Sequence, residues 1–362
     1  MGAERFFCHN LRLIECIFFE LTIPYRTELN MSDMDYRNWS LEYDLDGVCW
    51  LYIDRAGESA NSLSTEVMTE LEQIVGMLEN KPPRGLVLQS GKPGTFIVGA
   101  DVREFDQVDD IATAEKFISD VHRLFDRIEA LPFPKVVAID GFCLGGGLEL
   151  SLCFDYRIVS GSDKTRLGFP EVRLGIYPGF GGSARTTRLM GGFQAMQIML
   201  TGRMLRGKQA RALGLVDQVV SPHGSLRWAA RKAVLQGRKS KGPGLTAKLS
   251  NAGPARKFLA GQMRKKTAAR ANPLHYPAPF ELIDAWESHG DDFRQMLNEE
   301  ATRVARLITG DSSRGLRRVF WLMEGLKSQG KGEDFKARRV HVIGAGVMGG
   351  DIAAWCVLQG LE

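Results

Sequence analysis

Residues 135–149 read KVVAIDGFCLGGGLE and join a buried strand, a glycine-dense turn and a carboxylate. The apolar, β-branched run Lys135–Ile139 is typical of a strand that is covered on both faces. The glycines that follow open a helix, and the backbone N–H groups there have no helical carbonyl to bond. Such donors can hold an anion or a polarised carbonyl oxygen, and Glu149 lies in the first turn of the same helix. The stretch therefore predicts a strand–turn–helix unit with a site at its turn.

Two further glycine clusters and a second carboxylate are candidates for the same site. Gly99-Ala100-Asp101 follows the predicted strand Phe96–Val98, and Pro178–Gly182 comes shortly after Glu171. If the fold brings Glu149 and Glu171 together, it provides paired acids beside an oxyanion-binding turn. The residues alone leave a simpler interpretation open, in which Glu149 makes only a favourable charge–dipole contact and the glycines only shape turns.

Strands and helices alternate through the first part of the chain, which favours an α/β fold. Strands are predicted at 48–53, 85–89, 96–98, 135–139 and 156–159, and helices after Ser64, over 111–130 and around 148–153. After about residue 225 strand-like runs almost vanish, and Arg, Lys and Ala dominate. Here we predict helix over 280–307 and 316–327, with 241–254 as a loop or linker and 330–336 as a short charged linker.

Composition excludes several classes of protein. Of 362 residues, 44% are apolar and 25% are charged, so the chain can bury enough surface to fold. A net charge of +4 is no signature of nucleic-acid binding. The six cysteines form no C-x-x-C pair, which argues against a metal site or a disulfide framework and favours the cytoplasm. No apolar run is long enough to span a membrane, and we expect residues 1–35 to be an extension without a function.

A different pattern begins at Arg339. The predicted strand Arg339–Ile343 runs into Gly344-x-Gly346-x-x-Gly349 at the start of a helix, a spacing whose N–H groups cradle the pyrophosphate of NAD. The acidic residue expected about 20 residues further on would lie past the last residue given. We therefore expect an incomplete site that binds NAD weakly or not at all.

Two strings in the middle of the chain resemble the signature of the crotonase (enoyl-CoA hydratase/isomerase) superfamily. They are IDGFCLGGGLE at 139–149, followed by Asp155-Tyr-Arg-Ile158, and LGFPEVRLGIYPGFGG at 167–182. Phe96–Asp101 is similar to the other oxyanion loop of the family, and 201–217 is similar to its closing segment. The resemblance covers about residues 40–225 and implies a ββα spiral core.

The resemblance also implies roles for individual residues. The N–H groups of Ala100 and Gly146 would bind the thioester oxygen of an enoyl-CoA, and Glu149 and Glu171 would add water across its double bond or move that bond. No cofactor would be required for this chemistry. Contacts to the substrate or its coenzyme A part are expected from Asn61, Leu63, Gly99, Asp101, Gly145 and Gly179, and basic residues near these loops, Arg55, Lys92 and Arg103, could meet phosphates.

The order of segments is similar to that in the alpha-subunit family of bacterial fatty-acid oxidation complexes. The string His275–Pro279 and the glycine motif after a crotonase domain carry this resemblance. It implies a hydratase/isomerase domain at 36–225, a helical linker region at 226–335, and at 336–362 the start of an NAD-dependent 3-hydroxyacyl-CoA dehydrogenase. A thiolase beta subunit would be a partner of the whole protein.

The residues bear on three alternatives to this chemistry. Another crotonase reaction, hydrolysis or decarboxylation, is disfavoured by the presence of both glutamates. A non-catalytic scaffold would use 226–335 to pack against a partner. A Ser-His-Asp hydrolase is disfavoured because no histidine has a triad partner, and His122 is expected on a helix among polar neighbours.

Overall fold

The computed structural model describes residues 36–108, 110–329 and 337–362. Its strands are β1 (Trp39–Tyr43), β2 (Val48–Ile53), β3 (Gly85–Ser90), β4 (Thr95–Ile97), β5 (Lys135–Ile139), β6 (Phe142–Leu144), β7 (Tyr156–Ser160), β8 (Arg166–Gly168) and β9 (Gln218–Val220). Its helices up to residue 212 are α1 (Thr65–Asn80), α2 (Val102–Phe105), α3 (Ile111–Ala130), α4 (Gly146–Ser151), α5 (Gly182–Met190), α6 (Gly192–Thr201) and α7 (Gly207–Ala212), with a 3-10 turn at Glu171–Leu174. The later helices are α8 (Leu226–Leu235), α9 (Leu245–Ser250), α10 (Gly253–Ala268), α11 (Ala278–His289), α12 (Phe293–Thr309), α13 (Asp311–Gln329) and α14 (Val347–Leu358).

The strands form two sheets. The larger has the order β1-β2-β3-β5-β7-β9 and is parallel except for the β1–β2 pair, and the smaller is a parallel sheet of order β4-β6-β8. Each successive pair, β3 with β4, β5 with β6 and β7 with β8, gives one strand to each sheet. This is the repeating ββα arrangement that the sequence predicts.

The helices cover the large sheet with apolar faces. In the sequence these faces are visible as apolar residues that recur at helical intervals. Ser64 caps α1 by accepting a hydrogen bond from the Val67 N–H at 3.3 Å, and helix α3 has the predicted bounds. On the other face of the sheet, Ala230 and Val234 of α8 pack on the strand residue Val87. Burying a side chain of the size of Val234 contributes about 1.5–3 kcal/mol. Helix α8 is therefore part of the core and does not only connect two segments.

The helical region differs from the prediction in two places. The predicted helix over 280–307 is two helices, because the chain turns at Gly290 and Asp292 caps α12 by accepting from the N–H groups of Arg294 and Gln295. The segment 241–254 is also not all loop, since it contains α9 and the first residues of α10. Glycine and proline occur there at the starts of helices. Because the same residues are common in loops, the sequence alone does not distinguish the two cases.

The chain divides into two compact units, one ending at Arg317 and the other beginning at Arg318. In the second unit the predicted strand at 339–343 is wrong, because no residue of that segment has strand structure or strand pairing. Its backbone bonds run from Val340 N–H to Glu362 O at 2.7 Å and from Glu362 N–H to Arg338 O at 2.9 Å. A strand needs a neighbouring strand along its length, and β-branched residues alone do not supply one. The predicted linker at 330–336 and the extension at 1–35 lie outside the described residues.

None of the helices within the described residues is both long and apolar enough to cross a membrane.

Candidate active site

Three turns meet at the carboxyl edge of the small sheet. Gly99–Asp101 follows β4, Gly145 follows β6 and leads into α4 with Glu149, and Glu171 follows β8. Parallel strands place their carboxyl ends at one edge, which is where α/β folds commonly bind ligands. The sequence predicted the turns but placed the second directly after Lys135–Ile139, because the intervening β6 is too short to carry a pattern. The three-residue β8 was missed for the same reason.

Ala100 lines this site, and its N–H group points away from Leu63. A parallel bridge pairs Ala100 with Leu63, and its hydrogen bonds run from Leu63 N–H to Gly99 O at 2.9 Å and from Asp101 N–H to Leu63 O at 3.1 Å. In a parallel bridge of this kind the middle residue points its own N–H away from the partner. Leu63 therefore acts by holding the loop that presents Ala100.

Gly146 provides the second donor. It is the first residue of α4, where its N–H precedes any helical carbonyl that could accept it. The preceding Gly145 has φ +49°, and a Cβ there would lie 2.9 Å from Oε1 of Glu171. Glycine at 145 is therefore required both by the turn and by the close approach of the carboxylate.

Glu149 is 2% exposed and is held by the Pro178–Gly182 turn. Its Oε1 accepts hydrogen bonds from the N–H groups of Phe180 at 2.8 Å and Gly182 at 2.7 Å. Burial, followed by the negative charges of Glu171 and Glu300, raises the pKa of Glu149, while the two N–H bonds act to lower it. The carboxylate is thus fixed in orientation through one of its oxygens.

Glu171 is held quite differently. In the part of the chain that the structure describes, neither of its carboxylate oxygens has a hydrogen-bond partner, although both are buried. Burial, with a contribution from the charge of Glu300, raises the pKa of Glu171 to about 8. An unpartnered buried carboxylate is costly for the fold, and such groups concentrate where a substrate will meet them.

Both carboxylates line one cavity of about 590 Å³ including its open mouth, together with Gly99, Ala100, Gly145 and Gly146. The rest of the wall is mainly apolar, and it is formed by Phe117 and Ile118 of α3 and Val304 and Ile308 of α12, among others. Gly179 also lines the cavity, and a Cβ there would lie 3.0 Å from Val304. The geometry can therefore polarise a carbonyl oxygen, supply a base and an acid, and hold an apolar chain.

Two of the predicted ligand contacts are engaged within the protein. Asn61 is fully buried, donates to Phe96 O at 3.0 Å and accepts from Arg55 N–H at 2.9 Å, so its side chain braces the loop behind the site. Asp101 caps α2 and pairs with Arg55 and Arg103, each at 2.8 Å. Although burial acts to raise its pKa, the bonds from Arg103 and Arg55 lower the pKa of Asp101 to about 2.

The third predicted phosphate contact, Lys92, pairs with Asp54 at 2.5 Å. All three basic candidates, Arg55, Lys92 and Arg103, thus already have carboxylate partners in this structure.

Sequence reasoning missed two residues beside the site. His122 lies on a helix as expected, but it is only 7% exposed, and its Nε2 lies 2.9 Å from Gly179 O and 3.1 Å from Oε1 of Glu300. Glu300 was not predicted at all. A signal for it exists, because Met296, Glu300 and Val304 are spaced four residues apart and place a charge in the apolar stripe of α12.

The glycine motif of the second unit makes a tight turn. Gly344 has φ +117°, and a Cβ on Gly349 would lie 2.0 Å from Gly344 O, which fits the spacing of a pyrophosphate turn. Gly346 precedes α14, yet no strand lies before the turn within residues 337–362. Within these residues the motif thus forms a tight turn at a helix N-terminus without the preceding strand that a dinucleotide site has.

Comparison with known proteins agrees with this geometry. A family model described as Enoyl-CoA hydratase/isomerase matches residues 45–250, and the chain belongs to this family. Among curated proteins it is similar to the fatty acid oxidation complex subunit alpha of Aliivibrio fischeri (40% identity over 321 residues, 86% of this chain and 46% of the relative). The corresponding protein of Vibrio campbellii is 36% identical over 327 residues, 88% of this chain and 46% of the relative. The chain thus spans about half the length of these curated relatives.

Solved structures show the same fold. Human mitochondrial delta3-delta2-enoyl-CoA isomerase matches with a TM-score of 0.57 and 26% identity, over 82% of this chain and all of that one. An enoyl-CoA hydratase from Rhodobacter sphaeroides matches with a TM-score of 0.61 over 79% of this chain and 90% of that one. At 21% identity, the second likeness concerns the fold alone.

Proposed function

We propose that this chain hydrates trans-2-enoyl-CoA thioesters to 3-hydroxyacyl-CoA. The observation that carries the proposal is the cavity where two buried carboxylates, Glu149 and Glu171, face the N–H groups of Ala100 and Gly146. Membership of the enoyl-CoA hydratase/isomerase family supports a CoA thioester as substrate.

Each group has one task in the reaction. The thioester oxygen accepts hydrogen bonds from Ala100 and Gly146 N–H, which draws electrons from the conjugated double bond and makes the β-carbon electrophilic. Glu149 takes a proton from a water molecule, whose oxygen bonds to the β-carbon while the π electrons move toward the oxyanion. In the same concerted addition Glu171 gives its proton to the α-carbon, and the thioester carbonyl is retained in the product. Water is added on one face, and a final proton exchange with solvent restores both carboxyl groups.

The two carboxyls differ in what stabilises their charge. Two N–H groups of a neighbouring turn donate to Glu149, whereas in the described residues the only N–H group that acts to lower the pKa of Glu171 is its own. Two buried carboxyls this close share protons as a pair, and the anion is favoured where hydrogen bonds are available. Burial and the charges of Glu171 and Glu300 also raise the pKa of Glu149, but only Glu149 has two N–H donors from another turn to stabilise its anion. We therefore assign the negative charge to Glu149 as base and the proton to Glu171 as acid.

This assignment predicts the direction of the pH profile. The pKa of Glu171 is raised to about 8, so the required proton is present below that pH and is lost above it. We expect kcat/KM for crotonyl-CoA to fall as pH rises through about 8, approaching tenfold per pH unit at higher pH. Initial rates measured from pH 6 to 10 test this, and a rate that stays level or rises to pH 10 would show that Glu171 is not the acid.

The same pair could move a proton between the α- and γ-carbons, giving Δ3-cis-Δ2-trans-enoyl-CoA isomerase activity. The 26% identity to a solved delta3-delta2-enoyl-CoA isomerase supports this second activity. A role in fatty-acid β-oxidation is supported by the curated relatives. NAD-dependent dehydrogenation and association with a thiolase subunit are proposed for a longer protein of their kind, and no step of the hydration depends on them.

The apolar wall predicts how acyl length is controlled. Ile308 is 4% exposed and lines the cavity, so Ile308→Phe should shorten the space available to the acyl chain. We expect kcat/KM for trans-2-decenoyl-CoA to fall about tenfold relative to that for crotonyl-CoA. Both substrates undergo the same chemistry, so a general loss of folded enzyme would lower both values equally. An unchanged ratio would mean that the chain leaves the cavity elsewhere.

Hydration of crotonyl-CoA, followed by the loss of the conjugated thioester absorbance, tests the proposal directly. We expect turnover by the 362-residue chain without added NAD or metal. Release of free CoA would instead indicate a hydrolase, release of CO2 from a carboxylated acyl-CoA would indicate a decarboxylase, and binding without turnover would indicate a scaffold.

A further inference from the structure

Glu300 is a fully buried carboxylate that the hydration steps above do not use. It lies on α12, and its Oε1 accepts from the N–H of Gly181 while its Oε2 accepts from the N–H of Ser183 at 3.0 Å and from the Ser183 hydroxyl. A buried charge of this kind is strongly unfavourable without such partners. Glu300 comes from a helix that is far along the chain from the catalytic turns, so its burial beside them needs a physical explanation.

Glu300 and Glu149 hold the same turn from two directions. The N–H groups of Phe180 and Gly182 donate to Glu149, whereas those of Gly181 and Ser183 donate to Glu300. Four successive N–H groups are thus divided alternately between two carboxylates. The peptide units that orient Glu149 therefore alternate along the turn with the peptide units that Glu300 holds, and each of the former is directly bonded to one of the latter.

His122 completes the arrangement. The Gly179 carbonyl can only accept a hydrogen bond, so the His122 Nε2 at 2.9 Å from it carries a proton. The same N–H lies 3.1 Å from Oε1 of Glu300. His122 therefore ties the start of the turn to the carboxylate that holds its end, and it links α3 to α12.

We propose that Glu300, assisted by His122, is a positioning residue for Glu149: it fixes the 179–183 turn so that Phe180 and Gly182 orient the Glu149 carboxylate toward the attacking water. This inference rests on the proposed hydration. It makes α12 part of the catalytic apparatus, although sequence reasoning placed that helix in a linker region.

Glu300→Gln tests the inference because it keeps the shape but replaces one accepting oxygen with an NH2 group that cannot accept. We expect kcat for crotonyl-CoA to fall about 10- to 100-fold, since a buried donor loses its partner and Glu149 loses its orientation. KM should stay within about threefold, because Ala100 and Gly146, which bind the thioester, do not contact Glu300. A residue that only stabilised the fold would lower the amount of active enzyme and the melting temperature without this selective loss of kcat in the folded fraction.

Glu299→Gln is the matched control. Glu299 is the neighbour of Glu300 on α12, is partly exposed and pairs with Arg303 at 2.6 Å. The substitution removes the same charge without touching the turn, and kcat should remain within about twofold of the parent.

Ser183→Ala keeps the inference testable if Glu300→Gln does not fold. It removes only the hydroxyl that donates to Glu300, and we expect a smaller fall of kcat, about threefold to tenfold, with KM unchanged. Combined with Glu300→Gln, it should add little, because both changes act on one contact. Parental kcat in folded Glu300→Gln, or in Ser183→Ala where Glu300→Gln is unfolded, would overturn the inference. Absence of hydration by the parent chain would instead refute the proposed function.

Discussion

Glu171→Gln is expected to lower kcat for hydration of crotonyl-CoA by about 10²- to 10⁴-fold, the usual contribution of a general acid. The amide has the volume of the carboxyl group but cannot give a proton to the α-carbon. Because neither carboxylate oxygen of Glu171 has a hydrogen-bond partner within the described residues, the substitution breaks no such contact and the protein should remain stable. Removing a costly buried carboxyl should even raise the melting temperature slightly.

Binding and a surface control separate chemistry from general damage. Calorimetric titration with butyryl-CoA, which has no double bond to hydrate, should give a Kd within a few-fold of the parent. Glu72→Gln, at a 63% exposed side chain on α1, removes an equal charge and should leave kcat unchanged. A parental kcat in Glu171→Gln would eliminate Glu171 as the proton donor.

Glu149→Gln is expected to lower kcat by a similar 10²- to 10⁴-fold, for a different reason. The amide oxygen can keep the bonds from Phe180 and Gly182, which leaves the NH2 group facing the cavity where a base is needed. The water is then bound but not deprotonated. Stopped-flow measurement of a single turnover would show slow chemistry rather than slow product release.

The double variant adds a second criterion. If Glu149 and Glu171 act in one concerted addition, Glu149→Gln with Glu171→Gln should cost much less than the product of the single effects. If the two losses of kcat multiply in the double variant, the two residues do not share a transition state. Near-parental activity in the single variant Glu149→Gln would exclude Glu149 as the base.

Much of the fold could be read from the sequence because its pattern is local. The strand Lys135–Ile139 and the helix Ile111–Ala130 have the predicted bounds, since their apolar spacing covers several residues. The three-residue strands β6 and β8 carry no such pattern and form only by pairing with β4 and each other. The predicted strand at 339–343 is the opposite case. Its composition is typical of a strand, but within the described residues no strand pairs with it.

The candidate site divides in the same way. Glu149 and Glu171 could be proposed from the sequence because the first follows a glycine turn, the second shortly precedes one, and the motifs resemble a known family. The contact between His122 and Glu300 joins residues 178 positions apart, and neither lies in a motif. Only the packing of α12 against α3 brings them to the turn, so no local pattern could reveal that they meet.

The most direct test of the paired-glutamate account is hydration of crotonyl-CoA in D2O with analysis of the product by mass spectrometry and NMR. The account predicts 3-hydroxybutyryl-CoA with a single deuterium on the α-carbon, on the same face as the new hydroxyl, formed by the parent chain and nearly abolished in Glu149→Gln and Glu171→Gln. Product with deuterium on both faces, free CoA in place of a hydroxyacyl-CoA, or a near-parental rate in either variant would contradict it.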